Sequence, residues 1–179
     1  TPIVLATWEG GVDIMRLLLE HGADVSGNMG VCALETAANH AADDRYDLLA
    51  EFGAPSTPWM LVSCGRADQV LQAVDADLAL LTRRDSRGLT LLQAAADRMN
   101  RNAGPGLPKA GRAIAEALLE RGADVDIFTA VALDDAGYVG EMLRADPAAA
   151  NARLGDGRGP VDFAVAAGST ASLAALLAA

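Results

Sequence analysis

The chain has 179 residues, of which 51% are hydrophobic, and its formal net charge is −10 at pH 7. This length is enough to bury one domain-sized core, and it excludes two large independent domains. The negative charge opposes non-specific binding to nucleic acid because phosphates are repelled, and it weakly favours basic partners. No uncharged stretch reaches the roughly 20 residues of a membrane span, and no targeting segment is visible.

Two cysteines, Cys32 and Cys64, fall at similar places in successive segments of the chain. This spacing does not indicate a disulfide framework, and it predicts two small buried side chains in a reducing compartment. We therefore expect a cytoplasmic protein.

A nine-residue segment recurs along the chain. Residues 17–25 read LLLEHGADV and residues 117–125 read ALLERGADV, with a weaker copy, LLAEFGAP, at 48–55. Recurrence at long, similar intervals is typical of repeat architectures, in which each unit is one supersecondary element.

Each repeat unit is predicted to contain two helices. The first unit opens on Thr1-Pro2 and the last on Gly159-Pro160, and proline costs no hydrogen bond at the first helical position because that amide has no intrahelical acceptor. A second helix follows, with apolar residues spaced for one buried stripe. It ends at a glycine that tolerates positive φ, as at Gly22, Gly53 and Gly122.

The pattern Thr-Pro-apolar-x-x-Ala, a mid-unit glycine, paired leucines and Gly-Ala-Asp at a period of about 33 residues resembles the ankyrin repeat. The resemblance covers essentially the whole chain. It implies an all-α fold, an ankyrin-repeat α-solenoid of about five to six helix-turn-helix units joined by β-hairpin-like fingers. The predicted single domain, 1–179, divides into units at about 1–30, 31–55, 56–88, 89–126, 127–157 and 158–179.

Two departures from the family pattern stand out. The His that usually follows Thr-Pro-Leu is replaced, so we expect stacking to depend more on apolar packing. Units three and five lack Gly-Ala-Asp and run into residues 83–88 and 155–159, which resemble fingers. The residues at the His position are Val4, Glu35, Met60, Gln93 and Asp162.

Unit four carries an insertion, predicted as a loop over 98–111, before a second helix that is recognisable from about Arg112. Glycine and proline favour the loop, and the segment 98–112 contains four basic residues and no acid. It is either a dock for an acidic partner or, as we favour, a tolerated surface insertion with solvated charges.

The family resemblance implies a protein partner bound at the concave face of fingers and first helices. Two alternatives stay open there: Trp8 is either an exposed anchor or a cover for the end of the core, and the arginines of the third finger either grip carboxylates or pair with Asp77 or Asp85. Trp59 is predicted to be in the core. The candidate partner-binding residues are Trp8, Glu9, Asn39, His40, Arg83, Arg84, Arg87, Asp97, Arg98, Arg101 and Lys109.

We expect no catalytic residue, no cofactor and no metal. A His40–Cys64 pair is the weak catalytic candidate, the Cys and His spacing is not that of a zinc site, and His21 is expected to be structural at a helix end. The chain is therefore predicted to be a non-enzymatic interaction scaffold. The alternative is a regulatory or targeting segment of a larger enzyme whose catalytic domain lies outside these residues.

The ends of the predicted stack lack polar outer faces, although terminal repeats normally need them. A segment cut from a longer protein, end-to-end self-association, and an alanine-rich end that tolerates exposure are the three explanations. We therefore expect a monomer or weak end-to-end self-association, with no nucleic acid or membrane as partner.

Overall fold

A computed structural model of the chain describes residues 2–39, 43–99 and 107–178. These residues form twelve α-helices, two 3-10 helices and no strand. The 3-10 helices are Leu78–Leu81 and Pro147–Asn151. The α-helices are α1 Pro2–Glu9, α2 Val12–Glu20, α3 Asn28–Asn39, α4 Asp43–Glu51, α5 Pro58–Ser63, α6 Ala67–Ala76, α7 Leu91–Arg98, α8 Leu107–Glu120, α9 Ile127–Ala132, α10 Ala136–Ala145, α11 Pro160–Ala167 and α12 Thr170–Leu177.

The helices follow one another in pairs and are divided between two compact bodies, an N-terminal body, Thr1–Cys64, and a C-terminal body, Gly65–Ala179. In the N-terminal body, α3 packs on α1 and on α5, and α4 packs on α2. In the C-terminal body, α9 packs on α7 and on α11, while α8 packs on α6 and α12 on α10. Each body therefore has one layer of first helices and one layer of second helices.

Local sequence explains where several helices begin and end. Thr57, just before Pro58, accepts a hydrogen bond on Oγ1 from the Met60 amide, and Asp126 on Oδ1 from the Thr129 amide, so both side chains cap free donors. The second helices α2, α4 and α8 end before Gly22, Gly53 and Gly122, whose φ values are 86°, 83° and 85°. The predicted glycine stops are confirmed.

The predicted fingers are tight turns, and the described residues contain no strand there. The Asp85 amide donates to the Leu89 carbonyl, and the Leu154 amide to the Arg158 carbonyl, each at 2.9 Å. Gly88 and Gly157 supply the positive φ that each turn needs. The Gly88 amide also donates to the Asp85 carbonyl, and the Gly157 amide to the Leu154 carbonyl, so two backbone hydrogen bonds hold each turn, which is too little pairing to make a strand.

The inserted loop of unit four is shorter than predicted. The second helix, α8, begins at Leu107, and α7 ends at Arg98. Gly111, interpreted from sequence as a loop residue, is buried inside α8, where an added Cβ would lie 2.8 Å from the Ala95 carbonyl oxygen. This glycine therefore allows close approach of α8 to α7 and does not break the helix.

Three smaller expectations also need correction. Both cysteines were expected to be buried, but only Cys64 is buried and Cys32 is exposed; the two are not joined by a disulfide. Trp59, predicted to be in the core, is half-buried, whereas Ile3 at the corresponding place in α1 is buried. The first helix of unit two already begins at Asn28, before the predicted boundary at residue 31.

Candidate partner-binding surface

The end of α1 presents an indole ring on a fixed stretch of backbone. Trp8 is 61% exposed, on the side of α1 opposite to the buried residues Ile3, Ala6 and Thr7. Arg45 of α4 donates from Nη1 to the Thr7 carbonyl at 2.5 Å and to the Trp8 carbonyl at 3.2 Å. A cation is favourable there because the last carbonyls of a helix lack intrahelical donors. The structure therefore holds the backbone of Trp8 while leaving its side chain largely accessible.

Two exposed carboxylates lie on α1, which carries Trp8, and on α3, which packs on α1. Glu9 follows Trp8 directly, and Glu35 is exposed on α3, which packs on α1. Of the other candidates, the side chain of Asn39 and the whole of His40 and Arg101 lie outside the described residues. The proposed His40–Cys64 pair therefore also lies partly outside them, and Cys64 itself is buried.

Asp97, predicted to line the groove, is part of an internal network. Its Oδ1 accepts a hydrogen bond from Nη1 of Arg158, whose Nε donates to Asp156 Oδ2 at 2.8 Å. The guanidinium also lies over the Phe163 ring, 5.0 Å from its centroid. The hydrogen bond that Arg158 donates to Asp97 is the main cause that raises the pKa of Arg158 above its usual value. Asp97 thus joins α7 to the turn that precedes α11.

The arginines of the third finger, residues 83–88, have partners in this turn or a few residues before it. Arg83 pairs with Asp77 at 3.1 Å, and Arg87 Nε donates to Asp85 Oδ2 at 2.9 Å. Arg84 Nη1 donates to the Gly88 carbonyl at 2.7 Å. The sequence left open whether these arginines bind carboxylates of a partner or pair locally, and in the structure they pair locally.

A hydrogen-bonded junction joins α7 to the start of α9, and the sequence alone did not predict it. The amide nitrogen Nε2 of Gln93 donates to Asp126 Oδ2, while its Oε1 accepts from the Thr90 amide at 2.9 Å. Gln93 occupies the position of the absent His, so a polar contact accompanies the apolar packing between these two helices. The repeat pattern gave no signal for it, because Gln93 is the third residue of α7 and Asp126 directly precedes α9.

The three basic residues of the insertion that the structure describes lie on helices and not on a loop. Arg98 is half-buried at the end of α7, and Lys109 is exposed in the first turn of α8. Because α8 begins at Leu107, Lys109 and Arg112 lie on the exposed surface of this helix, where water solvates their charges.

The described residues contain neither a group of metal ligands nor a helix that could span a membrane. His21 hydrogen-bonds through Nδ1 to the Leu17 carbonyl at 2.9 Å, at the end of α2. Within residues 2–39, 43–99 and 107–178, no three His, Cys, Asp or Glu side chains are grouped to hold a metal ion. In the same ranges, every helix is too short or too polar to cross a bilayer.

Comparison with known proteins supports the reading of the first unit. Residues 1–27, which contain α1, α2 and the turn after them, match the family model of the ankyrin repeat. The resemblance stated from the sequence is thereby confirmed for residues 1–27. No curated protein matches the chain.

Proposed function

We propose that this chain, whose first unit is an ankyrin repeat, is a non-enzymatic module that binds a protein partner through its first-helix face, with Trp8 as the anchor. Ankyrin repeats are generally protein-interaction modules and are typically not catalytic. The observation that carries the proposal for this chain is the exposed indole of Trp8 on a backbone held by Arg45.

A tryptophan in this setting is suited to binding. Its ring offers a large apolar area and an N–H donor, and exposed tryptophans are enriched among residues that dominate binding energy. Because the backbone of α1 is already fixed through the two hydrogen bonds from Arg45, less conformational entropy is lost when the ring is buried by a partner.

We expect the partner to have an apolar pocket for the tryptophan, with basic residues around that pocket. Glu9 is exposed next to Trp8 in the chain, Glu35 is exposed on the neighbouring helix α3, and the chain as a whole carries a net charge of −10. Opposite charge at the rim of an interface speeds association and suppresses wrong partners. We assign Arg83, Arg84, Arg87 and Asp97 to internal stabilisation, because a partner that used them would have to break their existing hydrogen bonds.

A cytoplasmic location belongs to the same proposal. Cys32 is exposed and free, and exposed free thiols persist in reducing compartments.

Affinity capture with matched variants tests the proposal. The baits are the wild-type chain, Trp8→Ala, and the control Leu78→Ala, because Leu78 in the C-terminal body is also 61% exposed. We expect a protein that the wild type and Leu78→Ala recover equally and that Trp8→Ala loses. Equal recovery of every bound protein by all three baits would show that Trp8 is not the anchor.

A further inference from the structure

The two tight turns of the C-terminal body are built alike. Gly88 and Gly157 supply φ values of 80° and 85°. Before each turn, Asp77 or Asp146 caps a 3-10 helix by accepting a hydrogen bond on Oδ1 from the amide two residues further on. The two glycines and the two aspartates have the same separation in the chain, so each residue of the first turn has a counterpart in the second.

These two turns contact each other, although a whole unit lies between them in the chain. Only residues 121–126 connect α8 to α9, which leaves no length for a turn of this kind at the intervening junction. A Cβ added at Gly155 would lie 2.7 Å from the Arg87 carbonyl oxygen, so this glycine allows the close approach. We name residues 83–88 and 153–159 the finger pair.

The finger pair is a positive surface on an acidic chain. It contains five arginines against two aspartates, whereas the chain as a whole carries a net charge of −10. Four of the arginines are exposed and the last is half-buried, in the order Arg83, Arg84, Arg87, Arg153 and Arg158. A cluster of one charge sign attracts groups of the opposite sign, so this surface favours anionic groups.

Arg153 is the counterpart of Arg84 in the second turn, and it lacks the partners that Arg84 has. Arg84 Nη1 donates to the Gly88 carbonyl at 2.7 Å and to Gln93 Oε1 at 3.3 Å. Within residues 2–39, 43–99 and 107–178, Arg153 makes no hydrogen bond and no ion pair. Arg84 is exposed although α7 and α9 follow it in the stack, so neighbouring repeats do not cover this position.

The guanidinium of Arg153 packs against backbone. A Cβ added at Gly159 would overlap Nη1 of Arg153 and would lie 3.0 Å from its Cζ. Gly159 is itself buried, and its amide donates to Asp162 Oδ2 at 2.7 Å at the start of α11. The guanidinium therefore lies on a fixed surface with its N–H donors unused, and less side-chain entropy is lost when an acceptor binds there.

We propose that the finger pair binds an acidic segment of a partner protein, with Arg153 as the residue that contacts a carboxylate of that segment. A planar guanidinium matches a carboxylate because it can donate two parallel hydrogen bonds to it. The other four arginines keep their internal hydrogen bonds and contribute positive potential, which speeds association with an acidic partner.

A protein segment is favoured over nucleic acid. The finger pair contains no aromatic side chain on which a base could stack, and the net charge of the chain repels a phosphate backbone. This surface also differs from the one around Trp8 in the N-terminal body, where Glu9 and Glu35 favour basic residues. The two surfaces therefore select segments of opposite charge.

Fluorescence anisotropy with a labelled peptide of alternating glutamate and serine tests the proposal. The proteins are the wild type, Arg153→Gln and the control Arg144→Gln, which removes an exposed arginine of α10 outside the finger pair. We expect the wild type and Arg144→Gln to bind the peptide equally. Arg153→Gln should bind about tenfold more weakly or worse, because a hydrogen-bonded charge pair is lost.

Gly159→Ala gives the sharper result, because it keeps every charge and displaces only the guanidinium of Arg153. We expect it to weaken peptide binding, with an unchanged circular dichroism spectrum. A peptide with glutamine in place of glutamate should not bind the wild type.

Absence of peptide binding by the wild type would overturn the proposal. Wild-type affinity in Arg153→Gln or in Gly159→Ala would overturn it as well, and so would an equal loss in Arg144→Gln. Tighter binding of a single-stranded DNA of the same charge than of the peptide would overturn it in favour of nucleic acid.

Discussion

At the residue scale, Gln93 is the side chain whose removal we expect to lower the stability of the fold most. It is buried, it satisfies the Thr90 amide, and it joins α7 to the start of α9 through Asp126. We predict that Gln93→Ala lowers the free energy of unfolding by about 1 to 3 kcal/mol, because a buried amide and a carboxylate oxygen lose their partners.

Urea denaturation followed by circular dichroism measures this change. Gln72→Ala is the matched control, because Gln72 is exposed on α6 and its loss should change stability by less than about 0.5 kcal/mol. If both variants unfolded at the wild-type midpoint, the hydrogen bonds at this junction would contribute nothing to stability.

At the element scale, the contact between α7 and α8 depends on a glycine that the sequence alone did not explain. A Cβ at Gly111 would lie 2.8 Å from the Ala95 carbonyl oxygen, whereas one at Gly140, in α10, would meet nothing within 4 Å. Alanine is the better helix former at either site. We predict that Gly140→Ala stabilises the protein by up to about 1 kcal/mol, while Gly111→Ala destabilises it by about 1 to 3 kcal/mol.

Thermal unfolding of the two variants checks this prediction, because each serves as the control for the other. Opposite shifts of the unfolding midpoint are expected. Stabilisation by both substitutions would mean that α8 does not approach α7 closely at residue 111.

The link between α6 and α8 should make stability depend on pH. Arg121 donates from Nε and Nη2 to the two carboxylate oxygens of Asp75, at 2.7 and 3.1 Å. These hydrogen bonds hold the pKa of Asp75 below its usual value. Because the folded pKa is depressed, the stabilisation is fully present above the pKa of the unfolded carboxyl and is lost as the pH falls through the folded pKa.

We therefore expect the wild type to be more stable than Asp75→Asn at neutral pH, with a difference that shrinks on acidification below about pH 4. Unfolding midpoints measured over a pH series give the result. Glu116→Gln, an exposed change on α8, is the control for the loss of one negative charge. A difference between wild type and Asp75→Asn that stayed constant down to the lowest pH would contradict this account.

At the scale of the whole molecule, the sequence predicted the parts of the fold that repeat. Proline after Thr57 and glycines 22, 53 and 122 set the ends of helices, because proline and positive-φ glycine have few alternatives. Gly111 was misinterpreted because a glycine is equally favoured by a loop and by a close helix contact, and only the neighbouring helix decides between them.

The candidate surface was less predictable than the fold. Exposure of Trp8 depends on which neighbours cover α1, and pairing of Arg83 with Asp77 or of Asp97 with Arg158 depends on distances across turns. Repeat spacing carries no information on those distances. It does not indicate the Gln93–Asp126 link either, because Gln93 is the third residue of α7 and Asp126 directly precedes α9, so the two do not occupy equivalent positions.

The central claim is that this chain binds a protein partner through Trp8. Once a partner is captured, calorimetric titration of the purified partner against the wild type, Trp8→Ala and Leu78→Ala tests it most directly. Loss of a buried tryptophan anchor costs about 2 kcal/mol or more, so we predict that Trp8→Ala weakens binding about 30-fold or more and that Leu78→Ala binds as the wild type does. Wild-type affinity in Trp8→Ala would contradict the account.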